Sequence, residues 1–154
     1  MSGKIEARLD ELGILLPTAP APAANYVPYV LSGNLLFISG QISQSLDGLI
    51  TGRLGESLSV AEGTLAARQC GLALLAQARA ACGGDLDRVL RVVKLVGFVN
   101  STSDFTNQPE VVNGCSNLMV EVFGEAGRHA RAAVSAPSLP RGVAVEIDAV
   151  FEVA

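Results

Sequence analysis

The chain has 154 residues, 49% of them hydrophobic and only 17% charged, with 16 Gly and a net charge of −4. That length fits one domain of ordinary size, large enough to bury a true core. The negative charge and a pI near 4.9 argue against electrostatically driven binding to nucleic acid or to an anionic membrane, and the apolar content argues against disorder.

Counting Gly with the apolar side chains puts the chain above the usual apolar share, and its charged share is below the usual one. Part of its surface is therefore expected to lie against other subunits. No apolar run reaches the roughly 18 residues of a bilayer span, because Arg68, Gln69, Gln77 and Arg79 interrupt the longest Ala/Leu stretch. Lys4, Glu6, Arg8, Asp10 and Glu11 do not form a basic segment followed by an apolar one, so the expected location is the cytoplasm. Cys70, Cys82 and Cys115 lack C-x-x-C spacing, and the single His129 does not complete a usual zinc site with them. They read as structural thiols on helix core faces, and neither metal nor cofactor is expected.

In chain order, residues 4–12 predict a short helix, with Ile5, Leu9 and Leu12 at helical spacing and Gly13 as its stop. A stiff Pro/Ala connector follows through Ala24, so residues 1–24 read as an arm leading into a single domain over 25–154. Tyr26–Leu31 and Leu35–Ser39 predict strands joined at Ser32-Gly33-Asn34. Asp47-Gly48 predicts a two-residue turn between Ile42-Ser43 and Leu49–Thr51. At Ser39-Gly40-Gln41 the glycine permits a bulge or a close approach.

Ser59-Val60-Ala61-Glu62 is a capping box opening a helix that runs to about Cys82 before Gly83-Gly84. Val60, Ala67, Cys70, Gly71, Leu74, Ala78 and Cys82 share one face, opposite Glu62, Gln69 and Gln77. Arg88–Val99 reads as a central strand. A second helix begins near Pro109 and stops at Gly124, with Val111, Cys115, Leu118, Met119 and Val122 as its apolar stripe and Asn113 off the core side. Two strands finish the chain, His129–Ser135 and Val143–Val153. The latter alternates, with Glu146 and Asp148 on the face away from Val145 and Ile147. The expected fold is α+β, a sheet with two main helices packed on one face.

No phosphate loop, dinucleotide fingerprint, nucleophile elbow or H-E-x-x-H is present. What remains is Arg128-His129-Ala130-Arg131 together with Glu146 and Asp148. If the two final strands are neighbours, Arg131 and Glu146 share a sheet face. There a guanidinium suited to a substrate carboxylate would sit near a carboxylate able to orient or deprotonate water. A structural cross-strand ion pair is the commoner outcome of such spacing. His129 alternates onto the face of Arg131 and reads as a surface or interface residue.

Taken together, Tyr26-Val27-Pro28-Tyr29, Ser39-Gly40-Gln41, Val112-Asn113, Ala130-Arg131, Leu139-Pro140 and Val145-Glu146-Ile147-Asp148-Ala149-Val150 resemble the RidA/YjgF family in kind and order. This is the group of imine deaminases also labelled endoribonuclease L-PSP. The resemblance spans about residues 25–154. It implies a chorismate-mutase-like fold assembled as a homotrimer with clefts between adjacent subunits.

In deaminating members, the arginine matching Arg131 grips the carboxylate of a 2-imino or enamine acid. The glutamate matching Glu146 helps place the water that attacks the C=N carbon, without a cofactor, giving a 2-keto acid and ammonia. Tyr29, Ser39, Gly40 and Asn113 match positions lining the cleft. The chain departs from the family at Ala133, where a cysteine is common, and at Val27, where Gly precedes Pro-Tyr in many members; the N-terminal arm is extra. The implied activity is hydrolysis of small imino acids. The alternatives are a non-catalytic trimer that binds a small carboxylate or a partner protein and, ranked last because the chain is acidic, ribonuclease or translation-inhibitor action.

Overall fold

The computed structural model describes residues 3–154. Helix α1 spans Lys4–Glu11 and is capped by Leu12, and Gly13 takes the left-handed conformation (φ 68°) that ends it. Strands β1 (Tyr29–Ser32) and β2 (Leu35–Ile42) form the expected hairpin. The small ribbon β3 (Gln44–Ser45) and β4 (Gly48–Leu49) follows. Its register pairs Ser45 with Gly48, so Leu46-Asp47 form the turn, one residue earlier than the composition suggests. Gly48 supplies the positive φ (116°) just after the turn.

Helix α2 (Val60–Ala81), strand β5 (Val89–Asn100), helix α3 (Gln108–Phe123), strand β6 (Ala130–Ala136) and strand β7 (Val145–Val153) complete the domain. The capping box at α2 is formed in both directions, Ser59 Oγ accepting from Glu62 N–H and Glu62 Oε1 from Ser59 N–H. Such a cap is worth about 1 kcal/mol.

The five-stranded sheet has the order β1-β2-β7-β5-β6. All neighbours are antiparallel except β5 and β6, which are joined through α3 as a parallel crossover unit. Strand β5 is thus an interior strand, as expected, with β7 in the middle of the sheet, and the two final strands are not neighbours because β5 lies between them. Along β7, Val145, Ile147, Ala149, Phe151 and Val153 are buried, whereas Glu146, Asp148, Val150 and Glu152 are half-buried on the other face.

Helices α2 and α3 cover the first of these faces and pack on each other. The other face carries a row of apolar side chains that no helix among the described residues covers. Val30 opposes Phe37, which opposes Val150, and Val134 opposes Phe98, which opposes Glu146. Val30, Phe37 and Val134 remain 52%, 45% and 45% exposed.

Helix α2 is enclosed more completely than an amphipathic stripe requires. Its expected core face is buried apart from half-buried Val60, but Gln77, expected on the solvent side, is only 1% exposed. The arm causes this. It passes over α2, and Gln77 Nε2 donates to the Pro20 carbonyl at 2.7 Å. Leu9 and Leu16 join the same core as the sheet and helices, while Lys4 N–H and Ile5 N–H both donate to the Asp87 carboxylate. The three cysteines are free and buried.

Candidate functional site

Arg131 leaves β6 on the helix-covered face, since it opposes Leu95 and, one strand further, Ala149, both buried. There its guanidinium meets α3. Nη1 donates to Asn113 Oδ1 at 2.7 Å and to Ser116 Oγ at 3.2 Å, with a longer contact from Nη2 to the Pro109 carbonyl at 3.5 Å.

Helix α3 presents Asn113 outward because Val111, Val112, Cys115, Leu118 and Met119 are buried around it, as the stripe predicts. Gly114 lets α3 come close to α2: a methyl group there would collide with the Thr64 carbonyl. The Cys115 thiol, next to Asn113 in sequence, is pushed up to about 12 by burial, with the Arg131 charge only partly offsetting this, so it stays protonated and inert.

His129 belongs to the same cluster. One ring nitrogen, Nδ1, lies 2.6 Å from the Gly127 carbonyl, and Nε2 lies 2.9 Å from Ser116 Oγ, the oxygen that also receives Arg131. Burial holds its pKa below the ordinary value, the Gly127 carbonyl opposes that shift, and the Arg131 charge adds to it. The sequence placed His129 on the face of Arg131, and the structure agrees. Ser116 was not singled out, although its spacing of three from Asn113 on a helix would have put the two on one face.

Glu146 lies on the opposite face. It opposes Phe98 in β5 and Ile42 in β2, beside the register shift between Ile38 and Gln41. The bulge expected at Ser39-Gly40-Gln41 is therefore present, and so is the close approach. An added Cβ on Gly40 would stand 3.1 Å from Glu146 Cδ and 3.3 Å from its Oε1. Burial raises the Glu146 pKa, and the neighbouring Asp148 charge raises it further. Asp148 is itself raised by burial, with Lys94 pulling the other way.

Gly40 and Glu146 line a groove of about 1280 Å³, walled by the arm from Leu15 to Ala24, by Tyr26 and Pro28, by the β3–β4 ribbon and by α2. Ser39 sits beside Gly40, but its hydroxyl donates to the Val27 carbonyl at 2.8 Å and its N–H to the Pro28 carbonyl. Tyr29 opposes Ile38 on the helix-covered face and packs partly buried against the core.

The six residues singled out by resemblance therefore fall into two groups. Arg131 and Asn113 are in contact, and Gly40 and Glu146 are in contact. Ser39 is the chain neighbour of Gly40, and Tyr29 lies at the same end of the β1–β2 hairpin. The two groups do not meet. Arg131 and Glu146 are two strand spacings apart, roughly 10 Å across the sheet, and their side chains project from opposite faces. The shared face expected from neighbouring strands is not formed, because β5 intervenes and the register sets the two residues out of phase. Nor are they a cross-strand ion pair. Among the described residues, no group of His, Cys, Asp and Glu is arranged to hold a metal ion, and no helix is long and apolar enough to cross a membrane.

Comparison with known proteins finds the same fold in solved structures. Residues 6–151 match the family model described as "YjgF/chorismate mutase-like, putative endoribonuclease", and the chain belongs to that family, the RidA/YjgF group that its motifs resemble. It is similar to protein TCP17 of Trypanosoma cruzi, 56% identical over 98% of this chain and 95% of that one. It is also similar to the crystal structure of Atu1372 of Agrobacterium tumefaciens, described there as of unknown function. That likeness has a TM-score of 0.90 at 50% identity, covering 97% of this chain and 92% of the other. A structure from Shewanella oneidensis described as a "putative endoribonuclease" gives a TM-score of 0.92 at 35% identity, over 98% of this chain and all of that one.

Proposed function

We propose that the protein hydrolyses small 2-imino or enamine acids to 2-keto acids and ammonia, without a cofactor, in clefts between the subunits of a cytoplasmic homotrimer. One observation supports the reading: Arg131 with Asn113, and Glu146 with Gly40, form two groups on opposite faces of one sheet. A second copy must supply the missing group. A contact that joins the Arg131 face of one copy to the Glu146 face of the next is heterologous, the kind that makes a ring when its rotation closes, and a trimer is such a ring. The uncovered apolar row beside Glu146 supplies surface for such a contact.

In that cleft Arg131, fixed by Asn113 and Ser116, offers its remaining N–H donors to the substrate carboxylate. Glu146 of the neighbouring copy orients a water against the imine carbon and takes one of its protons. The C–O bond forms as the C=N π pair moves to nitrogen, which takes the proton Glu146 received from the water. The resulting carbinolamine passes its hydroxyl proton through Glu146 to the same nitrogen, and the C=O bond of the keto acid forms as the C–N bond breaks and ammonia leaves. The imine carbon is electrophilic already, so orientation and modest base strength suffice. The raised pKa of Glu146 makes it a better base than an ordinary carboxylate.

The test is ammonia release from 2-imino acids generated in place by an amino-acid oxidase, measured with wild type, Arg131→Ala and Glu146→Gln. Wild type should exceed the buffer rate and each variant should fall towards it. Refolding the two inactive variants together should restore part of the activity, because mixed oligomers contain clefts with both residues intact. Wild-type rates equal to buffer across several precursors would reject the reading. Stabilisation by a keto acid without turnover would replace it with a carboxylate-binding module. Arg131-dependent cleavage of RNA by nuclease-free protein would replace it with the activity in its relatives' descriptions.

A further inference from the structure

The short contacts around Arg131 have a direction that follows from hydrogen-bond chemistry. A backbone carbonyl only accepts, so the 2.6 Å contact to Gly127 places the proton of a neutral ring on His129 Nδ1. The other nitrogen, Nε2, is then a bare acceptor, and at 2.9 Å Ser116 Oγ must donate to it. With its hydrogen committed there, the serine oxygen faces Arg131 Nη1 with a lone pair at 3.2 Å. We propose that Ser116 and His129 are positioning residues for Arg131: the ring takes the serine proton so that the serine oxygen holds the guanidinium beside Asn113. This rests on the reading of Arg131 as the carboxylate-binding group.

The arrangement needs a neutral ring. An imidazolium would turn Nε2 into a donor, leave the serine hydrogen without its partner and put a second positive charge against the same oxygen as Arg131. The surroundings favour neutrality. The ring is half-buried, and Arg131 itself disfavours its charged form. The other charged groups on the packed elements are engaged or elsewhere. Glu125 pairs with Arg128 and Glu121 with Arg68, Lys94 opposes Ala130 on the other face, and Glu110 lies exposed in the first turn of α3. Arg91 and Glu152, of opposite charge, line a shallow depression with His129.

Because the chain has one histidine, ¹⁵N-labelled protein gives a single pair of imidazole signals. At pH 7 these should show a protonated Nδ1 and a bare Nε2, titrating below 6.5. In Arg131→Ala the titration should move up. A neutral ring protonated on Nε2, or a titration indifferent to Arg131→Ala, overturns the proposal. In turnover, Ser116→Ala should raise KM for the imino acid about 5–10-fold with kcat within about twofold, and Ser116→Thr should restore KM. His129→Gln, whose amide oxygen accepts the same proton, should stay closer to wild type than His129→Ala. An unchanged KM in Ser116→Ala overturns the positioning role. If wild type turns over no imine, the hydrolase reading falls, whereas the ring tautomer and its dependence on Arg131 still decide this one.

Discussion

The two halves of the candidate site are built on different physical terms. Around Arg131, nearly every polar group has a partner: Asn113, Ser116, His129 and Gly127 form one connected network on a helix and a strand edge. Around Glu146, no side chain among the described residues hydrogen-bonds the carboxylate. It is set by contact with Gly40, by partial burial and by a like charge two residues away. The first arrangement suits a group that must present a fixed fork of donors to a planar anion. The second suits a group that must change protonation during a reaction, because strong hydrogen bonds would hold it ionised and weaken it as a base. Rigidity and reactivity are thus assigned to opposite faces of one sheet.

The largest way to break this contrast is Arg131→Ala, which should cost about 100-fold in kcat/KM through loss of a charged bidentate contact while the proposed trimer and its melting temperature persist. Gly40→Ala tests the other half. Its methyl would press on the carboxyl carbon from 3.1 Å, and a drop of about tenfold in kcat is expected with little change in unfolding temperature.

Glu146→Gln should likewise take turnover towards the buffer rate, and it should raise stability slightly at neutral pH. The sign follows from linkage. A carboxylate whose folded pKa is raised binds more protons folded than unfolded, so its ionised form costs stability above the folded pKa, and that cost vanishes below 4.5. Melting curves at pH 4 and pH 8 check this, with the two proteins converging at the lower value. Gln77→Ala removes the bond to Pro20 and should cost about 1–2 kcal/mol, seen as a lower denaturation midpoint and easier proteolysis of the arm. Smallest is Asp148→Asn, which takes one like charge from Glu146 and should move the acid limb of the rate profile down by less than about one pH unit.

Much of this was legible before the structure. The capping box, the β1–β2 hairpin, the bulge at Gly40 and the outward Asn113 all follow from local rules, and the structure keeps each. The pairing of Arg131 with Glu146 was not. A two-residue period tells which side chains of one strand point together, but not which strand lies next to it. With β5 between β6 and β7, the question of a shared face became one of register across three strands. Gln77 was misplaced for a related reason. Helical periodicity assigns its polar face to solvent, and nothing local announces that a Pro-rich arm some fifty residues upstream will cover it. Ser116 escaped because a helical serine is an ordinary residue until a guanidinium and an imidazole are found on either side of its oxygen.

Strand β7 has one further consequence. The hairpin β1–β2 is a local unit, and so is β5–α3–β6, but they share no ladder with each other. Each is joined to the sheet only through residues 145–153. The β2–β7 ladder links residues more than 100 positions apart, as in Ile42 with Glu146, which makes it the contact with the steepest entropic cost to close. Strand β7 is the ladder that splices the two pieces, across which α2 also packs on both β2 and α3, and it bears Glu146. Loosening that strand would break the sheet between the hairpin and the crossover unit, so the carboxylate and the continuity of the sheet are lost together.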